Sequence, residues 1–270
     1  MNDEKLTKTS ADFKALFQDF VESLPSAEID TLPINHIANV SFIDNFLTSK
    51  NLPCDYLITQ CEVHEKHVLY FFYGKPAFRL DDKNAYPLCL IFKNFPHQPY
   101  KAYPFDSGAF FHGRMAKYFD SLEVKLEQYE ISPNYEVIKK IIRYFFGSNE
   151  RYYEGNPIID LTKSTNPLVD SYISMITEPE TVDLDQRRSS IEVIFEKDFM
   201  LNDNNLEMIV LPETDFILSG TTIEFNDVVK TISELFNCKI KSYPQKTGDP
   251  YLTTYPQINK IVKSFIDKYL

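Results

Sequence analysis

INHIANVSFIDNFLTSKNL, residues 34–52, sets the problem of the fold. A short apolar run carrying His36 leads into residues 40–50, where Val40, Ile43, Phe46 and Leu47 recur at helical spacing and predict a helix with one apolar face. The helix stops at a strand-like Asn51-Leu52. The first reading of His36 is a satisfied histidine in or near the core. The second is a polar group presented to a ligand from a turn before a helix, and the rest of the chain decides between them.

Upstream, residues 11–25 place Phe13, Leu16, Phe17, Phe20, Val21 and Leu24 at helical spacing, with Ser10 as a plausible cap and Pro25 as the stop. Downstream, KHVLYFFYGKPAFRL (66–80) is aromatic and β-prone until Gly74 and Pro76 interrupt it, and YPLCLIFKN (86–94) reads as a buried strand. Residues 100–115 read as a loop, because Pro, Asp, Ser and Gly punctuate them. NYEVIKKIIRYFF (134–146) is an amphipathic helix whose Lys139, Lys140 and Arg143 fit a solvated face. Residues 150–188 are polar and broken by proline, with a short helix at 167–177. Strands follow at 189–197 and 206–213, then a helix at 226–236, a strand at 238–243 and a last helix at 255–269. Strands and helices mix without βαβ regularity, so the expected class is α+β.

Composition narrows the function. The 270 residues suit one large domain or two small ones, and the apolar and charged fractions of 43% and 25% are those of a soluble globular chain. A net charge of −11 disfavours phosphate-driven binding to duplex nucleic acid or to an anionic membrane, though a local basic groove remains open. Cys54, Cys61, Cys89 and Cys238 show no CxxC spacing; with His64 and His67 nearby they match no common zinc site, so no metal is expected and the thiols are expected reduced. The polar, acidic start is unlike a signal peptide, and no apolar run approaches a membrane span, so the expected location is cytoplasmic, with no membrane partner. A Walker loop, a GxGxxG run and a GxSxG elbow are all missing.

Two segments hold residues with chemical potential. In SSIEVIF, alternation sets Ile191, Val193 and Phe195 on one face and Glu192, Ile194 and Glu196 on the other. A carboxylate in mid-strand is costly to bury unless it is paired or functional, whereas an edge strand with a solvated second face accommodates it freely. In YFFYGKPAFR, Tyr70 and Tyr73 end an apolar strand, and Lys75 and Arg79 follow. That is a platform for a planar cationic ring and an anionic linker, or equally a twisted strand with a bulge.

The order of these segments resembles the layout of ADP-ribosyltransferases, and more specifically the DarT-type DNA ADP-ribosyltransferase toxins. NHIANVSFIDNFLTSKNL is similar to that family's His-Ile-Thr start, VLYFFYGKPAFRLDDKNAYPLCLIFK to its aromatic strand with a following apolar strand, and RRSSIEVIFEKDFMLNDNNLEMIVLPE to the ending that carries its catalytic glutamate. Together they span residues 32–93 and 187–213, about a third of the chain. Ala38 stands where the family has Thr, and GKPAFR aligns poorly with the family's basic motif, so Arg79 or Lys75 takes the place of its arginine.

The resemblance implies an α+β, ADP-ribosyltransferase-like split β-sheet core with helical additions, in one domain over 1–270: an N-terminal helical extension (1–30), the core (31–215) and a C-terminal helix-strand-helix (216–270). It implies NAD as substrate and no metal, with Glu192 and Arg79 catalytic. His36, Ile37, Ala38, Asn39, Tyr70, Tyr73 and Lys75 are implied at the NAD pocket, His36 on the adenosine-side ribose and Tyr73 against the nicotinamide. Asp106, Ser107, His112, Arg187 and Arg188 are expected near the acceptor. The acceptor itself is single-stranded nucleic acid or a protein, with Arg187, Arg188, Lys139, Lys140 and Arg143 as the basic groove. The implied biology is a toxin or phage-defence effector with an antitoxin or immunity partner. The alternative is a catalytically inactive relative that acts as a nucleotide-ligand sensor or protein-interaction module.

Overall fold

The computed structural model describes residues 16–54, 61–78, 86–95, 97–119, 124–158, 166–179, 186–202, 204–248 and 250–269. Its strands are β1 (Ile34–Asn39), β2 (Asn51–Leu52), β3 (Leu69–Tyr73), β4 (Pro87–Phe92), β5 (Lys101–Tyr103), β6 (Glu192–Phe195), β7 (Phe199–Met200), β8 (Leu206–Pro212), β9 (Phe216–Leu218), β10 (Thr221–Ile223) and β11 (Lys239–Tyr243). Its helices are α1 (Phe17–Ser23), α2 (Ile43–Ser49), α3 (Ser107–Phe111), α4 (Tyr135–Phe145), α5 (Asn149–Glu154), α6 (Pro167–Thr177), α7 (Phe225–Leu235), α8 (Pro250–Thr253) and α9 (Tyr255–Ile266).

Seven strands form one mixed sheet in the order β11-β8-β4-β1-β3-β6-β5, so the class is α+β. Every pairing is antiparallel except β8 with β11, which lie parallel because α7 carries the chain across between them. The sheet has a narrow seam. β1 pairs with β4 along its whole length from Ile34 to Asn39, but meets β3 only at Ile34–Tyr73 and Asn35–Phe72. Beyond Asn35 the two central strands part.

Alternation along β4 and β8 divides the core. Leu88, Leu90 and Phe92 join Ile209 and Leu211 in the main apolar cluster, while Cys89, Ile91, Met208 and Val210 turn to the opposite face. There Tyr255, Ile258, Val262 and Ile266 of α9 cover them. In α4, Ile138, Ile141, Ile142 and Phe145 are fully buried, each contributing on the order of 1.5–3 kcal/mol by leaving water. The Asn134 side chain starts that helix by accepting from the Val137 N–H at 2.9 Å. Aromatic packing ties α1 to α4 and α6: the Phe17 ring lies 6.0 Å from Phe145 and 5.3 Å from Tyr172.

Most predicted elements are present: α2, α4, α6, α9 and the strands β4, β6, β8 and β11 lie within the expected segments, and α7 begins one residue before its own. The cap at Ser10 and Phe13 lie outside the described residues. The expected loop at 100–115 is different: it contains β5 and α3. Asp106 accounts for α3, because its side chain accepts from the Ala109 N–H at 2.6 Å and caps the helix. His36 lies inside a strand running to Asn39 rather than in a turn before a helix.

Gly74 ends β3 where no other residue fits easily. Its φ is +72°, and a Cβ there would meet Leu32 Cδ1 at 2.6 Å. The turn swings Lys75 toward the segment before β6, where Nζ donates to Ser189 Oγ at 2.8 Å.

Candidate active site around Glu192

One row of cross-strand partners crosses the seam. Asn35 on β1 faces Phe72 on β3, Phe72 faces Glu192 on β6, and Glu192 faces Tyr103 on β5. Partners in register point to the same side of a sheet, so these four side chains share a face. Tyr70 and Ile194 lie two residues along on that same face.

β6 lies between β3 and β5, so Glu192 is not on an edge strand, and it is 1% exposed. Its Oε2 accepts from the Ser107 N–H at 3.1 Å, and the Ser107 hydroxyl also bonds to it. Burial pushes the carboxyl well above the ordinary carboxylate range, and the nearby Asp106 carboxylate adds to the rise; the two Ser107 donors oppose it.

Around this carboxyl lies a layer drawn from three segments. His64 stacks on Tyr103, with centroids 5.9 Å apart, and packs against Tyr70 at 6.0 Å. Its Nε2 lies 3.4 Å from Ser107 Oγ. Cys61 Sγ and the Tyr70 hydroxyl are within hydrogen-bond distance of one another. Partial burial and the charge of Lys101 lower His64 to about 4, against an opposing pull from Glu127, so at neutral pH the ring is uncharged. Burial, with the Glu192 charge second, raises the Tyr70 phenol and keeps it protonated.

The residues expected at the catalytic, NAD and acceptor positions separate into two groups. Glu192, Tyr70, Asp106 and Ser107 come together. His36 does not join them: the alternation that aims Asn35 at the Glu192 face turns His36 to the other, where its ring lies 5.1 Å from Phe71. There His36 Nδ1 lies 2.7 Å from the Tyr70 carbonyl oxygen, a side-chain bridge just beyond the last β1–β3 pair, and burial lowers the ring to about 4. Ile37 packs on the second apolar cluster, Ala38 is buried and Asn39 is exposed. Tyr73 is fully buried and its hydroxyl oxygen accepts from the Leu32 N–H at 2.8 Å, so its ring is core rather than a stacking surface.

Lys75 is buried, 5.3 Å from the Tyr152 ring centroid. It borders a cavity of about 340 Å³ with Tyr153, Glu154, Gln186, Asn259 and Lys263. Arg79 lies outside the described residues. His112 is exposed at the end of α3.

Arg187 and Arg188 are buried, not a surface groove, and Arg188 Nη1 donates to the Met175 carbonyl at 3.2 Å. Lys139 pairs with Glu136 at 3.4 Å, Lys140 donates to the Glu22 carbonyl at 3.0 Å, and Arg143 donates to the Gly147 carbonyl at 2.5 Å. These cations serve their own helix and its neighbours.

Sequence reasoning passed over Asn35 and Tyr103, and weighed His64 only as a zinc ligand. Asn35 is 1% exposed; its Nδ2 donates to the carbonyls of Phe72 and Gly74 at 3.0 and 3.1 Å, while its Oδ1 has no hydrogen-bond partner among the described residues. A buried polar side chain in mid-strand was the available signal. The apolar positions of INHIAN (Ile34, Ile37, Ala38) do not alternate, however, so the pattern leaves its faces undecided.

Among the described residues no helix is long and apolar enough to cross a membrane. No family model, no curated protein and no solved structure matches this chain.

Proposed function

We propose that this chain is an NAD-dependent mono-ADP-ribosyltransferase with Glu192 as its catalytic carboxylate, on an ADP-ribosyltransferase-like split-sheet fold. One observation carries the reading: a fully buried glutamate on an inner strand, in a row with Asn35, Phe72 and Tyr103, beside a seam where the two central strands keep only two pairs. A buried carboxylate with no ion pair among the described residues costs stability, which function accounts for better than folding does.

Two features support NAD as the substrate. The Asn35 Oδ1 is an acceptor with no donor among the described residues, one that a carboxamide N–H or a ribose hydroxyl would satisfy. The cavity beside Lys75 offers a cation to a phosphate. In the transfer, the bond between ribose C1′ and the nicotinamide nitrogen breaks and nicotinamide leaves with the electron pair. Positive charge grows on the ribose, and a carboxylate at Glu192 stabilises it more strongly than water does. That same charge favours the ionised form of Glu192, against its burial. The acceptor, a nucleobase or a protein side chain, then bonds to C1′ and loses its proton.

The test incubates the protein with NAD labelled in the ADP-ribose part, together with single-stranded DNA, RNA or a protein pool, and compares it with Glu192→Gln. Label in one pool from the wild type alone supports the reading and names the acceptor class. No label and no released nicotinamide sinks it.

The second reading, a non-catalytic nucleotide sensor or interaction module, has its own observation: Glu192 is 1% exposed, and His36 and Tyr73 are built into the opposite face. Under it NAD raises the melting temperature without label transfer; at 100 times its Kd a ligand adds about 2.7 kcal/mol of stability.

A further inference from the structure

The sequence offers His64 only a rejected zinc role and places Ser107 near the acceptor. The structure joins both to Glu192. Ser107 opens α3 and is completely buried, with its N–H and its hydroxyl on the Glu192 carboxyl. Its oxygen keeps a free acceptor side, and His64 Nε2 stands there at 3.4 Å. Stacking of His64 on Tyr103 and its tilted contact with Tyr70 fix the ring's plane.

We propose that His64 is a positioning residue for Glu192, acting through the Ser107 hydroxyl: His64 Nε2–H donates to Ser107 Oγ, and Ser107 Oγ–H donates to the Glu192 carboxylate. The chain of donors orients the carboxyl and favours its ionised form inside a site that otherwise opposes charge. The serine hydroxyl can donate only one proton, so a ring N–H on its acceptor side leaves that proton for Glu192. The imidazole is half-buried and Glu192 fully buried, so this chain of donors links the carboxyl through Ser107 to a group nearer the surface.

The other ionisable groups facing this chain act on charge rather than on orientation. Asp106 from the start of α3, Tyr70 from β3, Tyr103 from β5 and Cys61 face Glu192, while Lys101 and Glu127 face His64. Asp106 opposes ionisation of Glu192 and Ser107 favours it.

The inference deepens the reading of Glu192 as a catalytic carboxylate, but its test needs no turnover. Protein labelled with carbon-13 at the glutamate side-chain carboxyl is titrated by NMR without NAD, and the Glu192 signal is the one missing from Glu192→Gln. The expected result is an upward shift of its titration midpoint by at least about one pH unit, a tenfold change in proton affinity, in Ser107→Ala. Ser107→Thr restores the midpoint. His64→Phe keeps the stacking ring and loses the donor, so it shifts the midpoint in the same direction by less. His64→Gln, with an amide N–H at similar reach, returns it toward wild type. If Ser107→Ala fails to fold, the His64 pair alone decides. A midpoint unmoved in His64→Phe, with or without a shift in Ser107→Ala, overturns the proposal. Absence of nicotinamide release from NAD bears on the transferase reading only, so the two failures are told apart.

Discussion

Replacing Glu192 by Gln makes a strong claim about stability as well as activity. In the folded protein, burial and the Asp106 charge raise the carboxyl well above its ordinary range; in the unfolded chain it titrates near about 4.3. Between those two values the folded state binds the extra proton. Stability therefore falls as pH rises through that window, by up to about 1.4 kcal/mol for each pH unit. Below about pH 4 both states are protonated and the contribution vanishes.

Gln is nearly isosteric, does not titrate, and keeps an oxygen for the Ser107 N–H at 3.1 Å. Its cost is a rearranged hydrogen bond to the Ser107 hydroxyl, about 1 kcal/mol. As pH rises through the window, the relieved proton uptake increasingly opposes that cost. Urea unfolding at pH 4, 5, 6, 7 and 8 measures both proteins, and the difference between them isolates Glu192 from every other titrating group. The expected difference is near zero or slightly destabilising at pH 4 and grows in favour of Glu192→Gln toward neutral pH. A variant less stable than wild type by a constant amount at every pH would mean that Glu192 is charged in the fold and held by a partner. The account of its burial would then be wrong.

Other outcomes follow from individual contacts. His36 titrates at about 4 in the fold against an ordinary 6.5, so the unfolded state binds more protons between those values. Stability is then lost as pH falls through that window, by up to about 3 kcal/mol at its acid end, and comparison with His36→Gln by urea unfolding isolates the effect. Asp106→Asn keeps the side-chain oxygen that caps α3 at 2.6 Å but removes a charge beside Glu192, so the Glu192 titration midpoint moves down with α3 intact. Gly74→Ala places a Cβ 2.6 Å from Leu32 Cδ1 at a φ of +72°, and costs about 2 kcal/mol or more in the same unfolding assay. Ile141→Ala empties a fully buried position on α4 and costs about 2–5 kcal/mol.

Periodicity alone determined α4, α6, α7 and α9, because each carries an apolar stripe long enough to identify its face and polar residues that mark its ends. The same is true of β4 and β8, whose near-continuous apolar runs are legible without knowing their partners. The burial of Glu192 beside Ile191 and Val193 was also present in the alternation of SSIEVIF, as one of two readings. Tertiary structure chose between them by setting β5 against the open side of β6, a pairing between residues about 90 positions apart that no local pattern encodes. The short elements β5 and α3 stayed hidden for a related reason. Three and five residues are too few to show a period, and they persist because Asp106 caps α3 while β6 supplies hydrogen bonds to β5.

His36 and Asn35 give the plainest case. They are adjacent in sequence, both are buried, and both lie in a strand whose apolar residues do not alternate. Side chains at successive strand positions point to opposite faces, so only one of the two can share the face of Glu192. The choice belongs to the register of β1 on β3, where Asn35 sits opposite Phe72, and that register exists only in the assembled sheet.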